Sequence, residues 1–187
     1  LDGQGRLLGG AVLEDKAFIE EVFQPFYRQT GASMSAFNAW VLVKSLETLR
    51  LRIEAMSATA ARIAEKLAEH KAIEAVLYPG HKTHPQHKLA KAQMSGFGSL
   101  IALKVKGGRA AAFTVLDSLN LIDISNNLGD AKSLACHPAS TTHANLSDSE
   151  RLALSISESH LRLSVGLEHY DDLWRDLCQA LDKIVIN

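Results

Sequence analysis

Eight histidines and two cysteines in 187 residues raise the question of a metal first. His81, His84 and His87 fall three apart in a loop containing Pro85, and Cys136 and His137 open another polar loop that ends at His143. Zinc sites need three or four ligands at closed spacing, and nothing local in sequence completes such a set, so hydrogen-bonded loop histidines are the better expectation and no metal is assigned. Ser157 and Ser159 lie close to His160, as a nucleophile lies close to its base, but without the G-x-S-x-G elbow. Cys178 sits between Leu177 and Leu181 and reads as a small core residue. The third candidate is an anion site. In Leu161-Arg162-Leu163-Ser164-Val165, strand alternation puts Arg162 and Ser164 on one face. A guanidinium within an apolar strand is costly unless paired, and its planar fork suits a carboxylate. That carboxylate is either a ligand's or an internal one, with Glu168 and Asp123 as the internal choices. Two polar loops, Ser125 to Asp130 and His137 to His143, offer further donors.

The elements that must position these groups follow from periodicity. Gly9 to Leu13 reads as a short strand, Lys16 to Phe26 as a helix, and Ser33 or Ser35 as the cap of the next one. Ala36 to Leu51 is apolar on most faces, which predicts burial between layers or at a subunit interface. Arg52 to His70 is an alanine-rich helix with a stripe of Ile53, Met56, Ala60, Ile63, Ala64 and Leu67. Strands are expected at Ile73–Tyr78, Ser99–Val105, Ile122–Ser125 and Leu161–Val165. Helices are expected at Leu89–Met94, Arg109–Leu119, Asp148–Leu154 and Tyr170–Ile186. This mixture predicts an α+β layer, helices packed on a small, mainly antiparallel sheet. The boundary is placed after residue 51, with 1–51 as the tail of a larger domain and its connecting helix, and 52–187 as a C-terminal small domain.

Net charge is −1, from 20 basic and 21 acidic residues, which gives no electrostatic reason to expect nucleic acid or an anionic membrane as partner. No stretch approaches the roughly 20 apolar residues that span a bilayer. Two distant cysteines without CxxC spacing fit a reducing cytoplasm. The opening Leu1-Asp2-Gly3-Gln4-Gly5-Arg6 has no initiator Met, basic region or apolar core, and reads as the inside of a longer protein.

Six ordered segments carry a resemblance across essentially the whole chain. They are Ser35 to Trp40; Leu46 to Arg52; Tyr78-Pro79-Gly80 with His84-Pro85-Gln86-His87; Ser95-Gly96-Phe97-Gly98; His137-Pro138-Ala139-Ser140 with Thr142-His143; and Arg162 to Glu168. Together they resemble the Cys/Met-metabolism family of enzymes dependent on pyridoxal 5'-phosphate (PLP), which includes cystathionine γ-synthases, cystathionine γ-lyases and homoserine-ester sulfhydrylases. Asp2 to Arg6 and Ile124 to Asp130 look like the O-succinylhomoserine sulfhydrylase subgroup, although Asn127 stands where lyases and γ-synthases usually carry serine.

The resemblance implies the C-terminal part of a fold-type I transferase. It implies γ-replacement on an O-acylhomoserine, the succinyl ester, by sulfide, giving homocysteine for methionine biosynthesis; cystathionine γ-synthase or O-acetylhomoserine sulfhydrylase chemistry is the alternative. A homotetramer is the family expectation. By motif, Arg162 binds the substrate α-carboxylate, Thr142 lies in a loop approaching it, and Asn127 lies near both carboxylate and catalytic lysine. The Ser-x-Thr-Lys-Tyr segment holding the PLP lysine aligns so that the lysine falls two residues before Leu1. No catalytic or cofactor-binding residue is therefore assigned here, and the chain alone is expected to be an inactive fragment that folds or assembles.

Overall fold

The computed structural model describes residues 1–185. It divides into two compact units, one from Leu1 to Leu49 and one from Arg50 onward.

The first unit is helical. Helix α1 (Lys16–Phe18) runs through a π turn at Ile19–Phe23 into α2 (Gln24–Thr30), so the helix expected to Phe26 continues one turn further. Ser35 caps α3 (Ala36–Leu46), its Oγ accepting from Asn38 N–H at 3.2 Å. The strand expected at Gly9 to Leu13 is absent, and the segment lies exposed. A strand exists only beside a partner ladder, and all described strands come from residue 73 onward. The helix expected to reach Leu51 stops at Leu46. Thr48 N–H and Oγ–H both turn back to the Ser45 carbonyl at 3.4 Å, and α4 (Leu49–Glu69) restarts beyond them. Phe37, Trp40 and Val43, expected to be buried, are exposed in this chain.

The second unit holds one five-stranded sheet in the order β1-β2-β5-β4-β3. The strands are β1 (Ile73–Leu77), β2 (Leu100–Val105), β3 (Asp123–Ile124), β4 (Leu134–Cys136) and β5 (His160–Ser164). Every pairing is antiparallel except β3 with β4. Helices α5 (His87–Gln93), α6 (Gly108–Ser118), α7 (Asp148–Ala153) and α8 (Tyr170–Leu181) complete the unit. The last helix, expected to reach Ile186, ends at Leu181, where Asp182 caps it; Ile186 itself lies outside the described residues. Strand β4 escaped sequence reading because Leu-Ala-Cys is too short to show a period.

Alternation divides the sheet into two faces. Ile101, Leu103, Ala135, Leu161, Leu163 and Val165 point into one core with Ile63, Leu67, Val115, Leu116, Leu173 and Leu177 from α4, α6 and α8. Burying side chains of this size stabilises by roughly 1.5–3 kcal/mol each. The opposite face carries His160, Arg162 and Ser164.

Two further motif segments prove to be packing. Tyr78 is buried, and its hydroxyl donates to the Gly98 carbonyl at 3.0 Å, while its ring meets Phe97 edge-on. Burial pushes the phenol up to about 12. His87 stacks on Phe97, with its Nδ1 2.8 Å from the Pro79 carbonyl. A Cβ at Gly80 would sit 2.6 Å from the Tyr78 ring, so only glycine fits there.

Candidate functional site

Arg162 lies mid-strand in β5, beside Ala102 of β2 and Cys136 of β4. Its Nη2 donates to the carbonyl oxygens of Asn126 at 2.7 Å and Asn127 at 3.1 Å. Among the described residues no carboxylate comes within 4 Å of the guanidinium, and Nε and Nη1 have no hydrogen-bond partner. The two internal carboxylates considered for it are engaged elsewhere. Glu168 accepts from Ser133, and Asp123 accepts from Lys132 Nζ at 3.2 Å. A half-buried cation with donors to spare is what an anion site requires.

The loop that meets Arg162 is fixed along its length. Ser125 N–H donates to Ala135 O at 3.0 Å, continuing the β3–β4 pairing. Gly129 N–H donates to Ser164 Oγ at 2.9 Å, and the Asp130 carboxylate turns back to Lys132 N–H at 3.1 Å. Leu167 N–H donates to Ala131 O at 2.7 Å. The entrance to β3 is held as firmly, since Asp176 of α8 accepts the successive N–H groups of Asn120, Leu121 and Ile122 at 2.8–3.0 Å. Burial opposes ionisation of Asp176, but these donors with Gln179 outweigh it and lower its pKa.

The structure thus brings Asn127 onto Arg162, through its backbone carbonyl rather than its amide, which is exposed. Thr142 is exposed on the loop after the 3-10 turn Pro138–Ser140, and its hydroxyl lies 2.8 Å from His143 Nδ1. It shares no hydrogen bond with Arg162 or Asn127. Sequence reading placed Ser164 on the face of Arg162 and named Glu168 as a possible partner for its charge, but missed Ser133, the residue that Glu168 in fact holds; no local pattern marks it.

The other candidates resolve into structure. His160 is buried, and its Nδ1 accepts from Ser157 N–H at 2.8 Å. One ring nitrogen has one lone pair, so Ser157 Oγ, 3.1 Å away, finds no base there and lies nearer Ser159 Oγ at 2.9 Å. Burial foremost, then the Lys104 ammonium, lowers the His160 pKa. His137 is buried with Nδ1 2.8 Å from Ser140 Oγ and Nε2 3.0 Å from the Glu158 carbonyl. Among the described residues one triple, His70, Cys178 and Asp182, is close enough to hold a metal. However, Ala72 N–H donates to His70 Nδ1 at 3.2 Å, which leaves the proton on the Nε2 that faces Asp182. A ligating histidine has the reverse arrangement.

Fold and site together define a class. The chain matches the family described as Cys/Met metabolism PLP-dependent enzyme over residues 1–182, and it belongs to that family. It is 50% identical over 185 residues to an O-succinylhomoserine sulfhydrylase of Mycobacterium tuberculosis, covering 97% of this chain and 46% of that protein. It is 42% identical to an L-methionine gamma-lyase of Treponema denticola, covering 99% and 46%. A solved cystathionine gamma synthase from Xanthomonas oryzae pv. oryzae, in complex with aminoacrylate and cysteine, superposes with a TM-score of 0.91 at 36% identity, over 97% of this chain and 47% of that one. The chain therefore spans about half the length of the relatives it matches.

The residues around Arg162 do not themselves fit the cofactor. Its register neighbours Ala102 and Cys136 and its flanking His160 and Ser164 include no lysine and no acid, and the one ring among them, His160, is buried with its Nδ1 taken by Ser157 N–H. This donor set suits a substrate carboxylate.

Proposed function

We propose that the full-length protein containing this chain replaces the acyloxy group of an O-acylhomoserine, the succinyl ester, with sulfide. The Cγ–O bond breaks, a Cγ–S bond forms, and succinate leaves with a proton of hydrogen sulfide; the product is homocysteine, for methionine synthesis. PLP, when held by the rest of the protein, would supply an electron sink to the bound amino acid. The part of this chain is to hold the amino acid. Arg162 takes the α-carboxylate on Nε and Nη1 while the Asn126 and Asn127 carbonyls keep Nη2 in place. Asn127 and Thr142 are proposed at the rim of the same site.

The observation that carries this reading is the Arg162 fork, lodged in the sheet with no carboxylate among the described residues beside it and with donors unspent. The choice of ester and acceptor is supported by the 50% identity to the sulfhydrylase against 42% to the lyase. We also propose a cytoplasmic homotetramer, with residues 1–51 as the tail of the cofactor domain and the small domain beginning at 52.

The full-length protein should be assayed with O-succinyl- and O-acetylhomoserine, each with sulfide or cysteine, and with methionine alone. The succinyl ester with sulfide should give the highest kcat/KM. Preference for cysteine would move the reading to a γ-synthase, and elimination from methionine to a lyase.

A further inference from the structure

The run Arg162, Ser164, Gly166, Glu168 contacts the 126–133 loop at every second residue. Arg162 holds the carbonyls of 126 and 127, and Ser164 Oγ takes the N–H of 129. At Gly166 the two backbones touch. A Cβ there would lie 2.4 Å from Ala131 O and 2.5 Å from Ser133 N, so no side chain fits without moving the loop. Glu168 closes the series. Its two carboxylate oxygens accept from Ser133 N–H and Ser133 Oγ–H, each at 2.7 Å, and Ser133 Oγ in turn accepts from Gly166 N–H at 2.8 Å. Ser133 is 1% exposed, so these bonds have no water to replace them.

We propose that Glu168 is a positioning residue for the substrate carboxylate: acting through Ser133, it fixes the loop whose carbonyls aim the Arg162 guanidinium. This rests on the reading of Arg162 given above. Both Ser133 groups donate to the carboxylate, and the hydroxyl oxygen also accepts from Gly166 N–H. Glutamine has nearly the same shape, but while its Oε1 can keep the Ser133 N–H, its NH2 faces Ser133 Oγ, which must turn its proton away inside a buried site. Glu168→Gln therefore weakens the clasp without opening a cavity, and Glu168→Asp keeps the acceptor at shorter reach. A loop shifted by about 1 Å would misdirect the fork and weaken recognition of the carboxylate alone.

The test uses the full-length holoenzyme and two substrates, the O-acylhomoserine and its α-carboxamide analogue, which lacks the anion. Glu168→Gln is expected to raise KM for the acid about tenfold, with kcat less affected. For the carboxamide, kcat/KM should stay within about twofold of wild type. Ser133→Ala should show the same pattern, Glu168→Asp should restore much of the acid KM, and Glu168→Gln should add little in an Arg162→Ala background. Equal losses on both substrates would mean that Glu168 only supports the fold, and the proposal would be wrong. If Arg162→Ala itself fails to separate acid from carboxamide, the reading of Arg162 falls first and takes this one with it.

Discussion

Arg162 is the residue on which chemistry and fold meet. Removing it deletes the charge-assisted contact to substrate proposed here and also frees the two carbonyls that Nη2 restrains. Arg162→Ala in the full-length enzyme should weaken binding of the O-acylhomoserine by at least about 2 kcal/mol, roughly 30-fold in KM. Melting without a change in KM would contradict the anion-site reading. Arg162 was legible because a charge interrupts an apolar alternation. Its competitors Glu168 and Asp123 could not be eliminated from sequence, since their true partners, Ser133 and Lys132, are recognised only once the chain is folded. The Asn127 loop was expected to offer donors, whereas in the fold the Asn127 carbonyl accepts from Arg162 Nη2.

At the scale of elements, the joint between the opening turn and α3 depends on one buried acid. Asp2 accepts from Arg6 N–H at 2.7 Å, from Arg6 Nη2 at 2.8 Å and from Ser45 Oγ at 2.9 Å. Burial alone would raise its pKa, but the backbone and side-chain donors of Arg6, the Ser45 hydroxyl and the Arg6 charge together hold it at about 2. A carboxyl depressed in the folded state stabilises above its unfolded pKa of about 4 and loses that contribution as pH falls toward 2. Urea midpoints should therefore drop more steeply from pH 5 to pH 2 in wild type than in Asp2→Asn; parallel curves would disprove the role. Elements with a long period, α4 and α8, were read to within a few residues. Gly9 to Leu13 failed because a strand needs a neighbour that composition cannot reveal, and β4 because three residues carry no period. The Tyr-Pro-Gly and Ser-Gly-Phe-Gly segments, which carried part of the resemblance, form a packing knot around Phe97. A motif marks a constraint, and a packing constraint is as strict as a chemical one.

Across the whole molecule, apolar surface is distributed unevenly. The second unit contains the described core, while the first leaves Leu8, Leu13, Phe26, Phe37, Trp40 and Val43 largely exposed. Surfaces of that kind associate. The 187-residue chain alone should therefore sediment with a mass that rises with concentration and does not fall in high salt, and Phe37→Glu with Trp40→Glu should suppress this. A monomer at every concentration would show that these residues need no cover.

The sheet order has one more consequence, for biosynthesis. Strand β5 is the last of this sheet's described strands along the chain, yet it lies in the middle, joining β2 on one side to β4 on the other. Until residues 160–164 leave the ribosome, this sheet can exist only as two separate strand pairs with bare edges. Arg162 therefore meets its loop only after the other four described strands have been made, and the strand that closes the sheet is the one that carries the guanidinium.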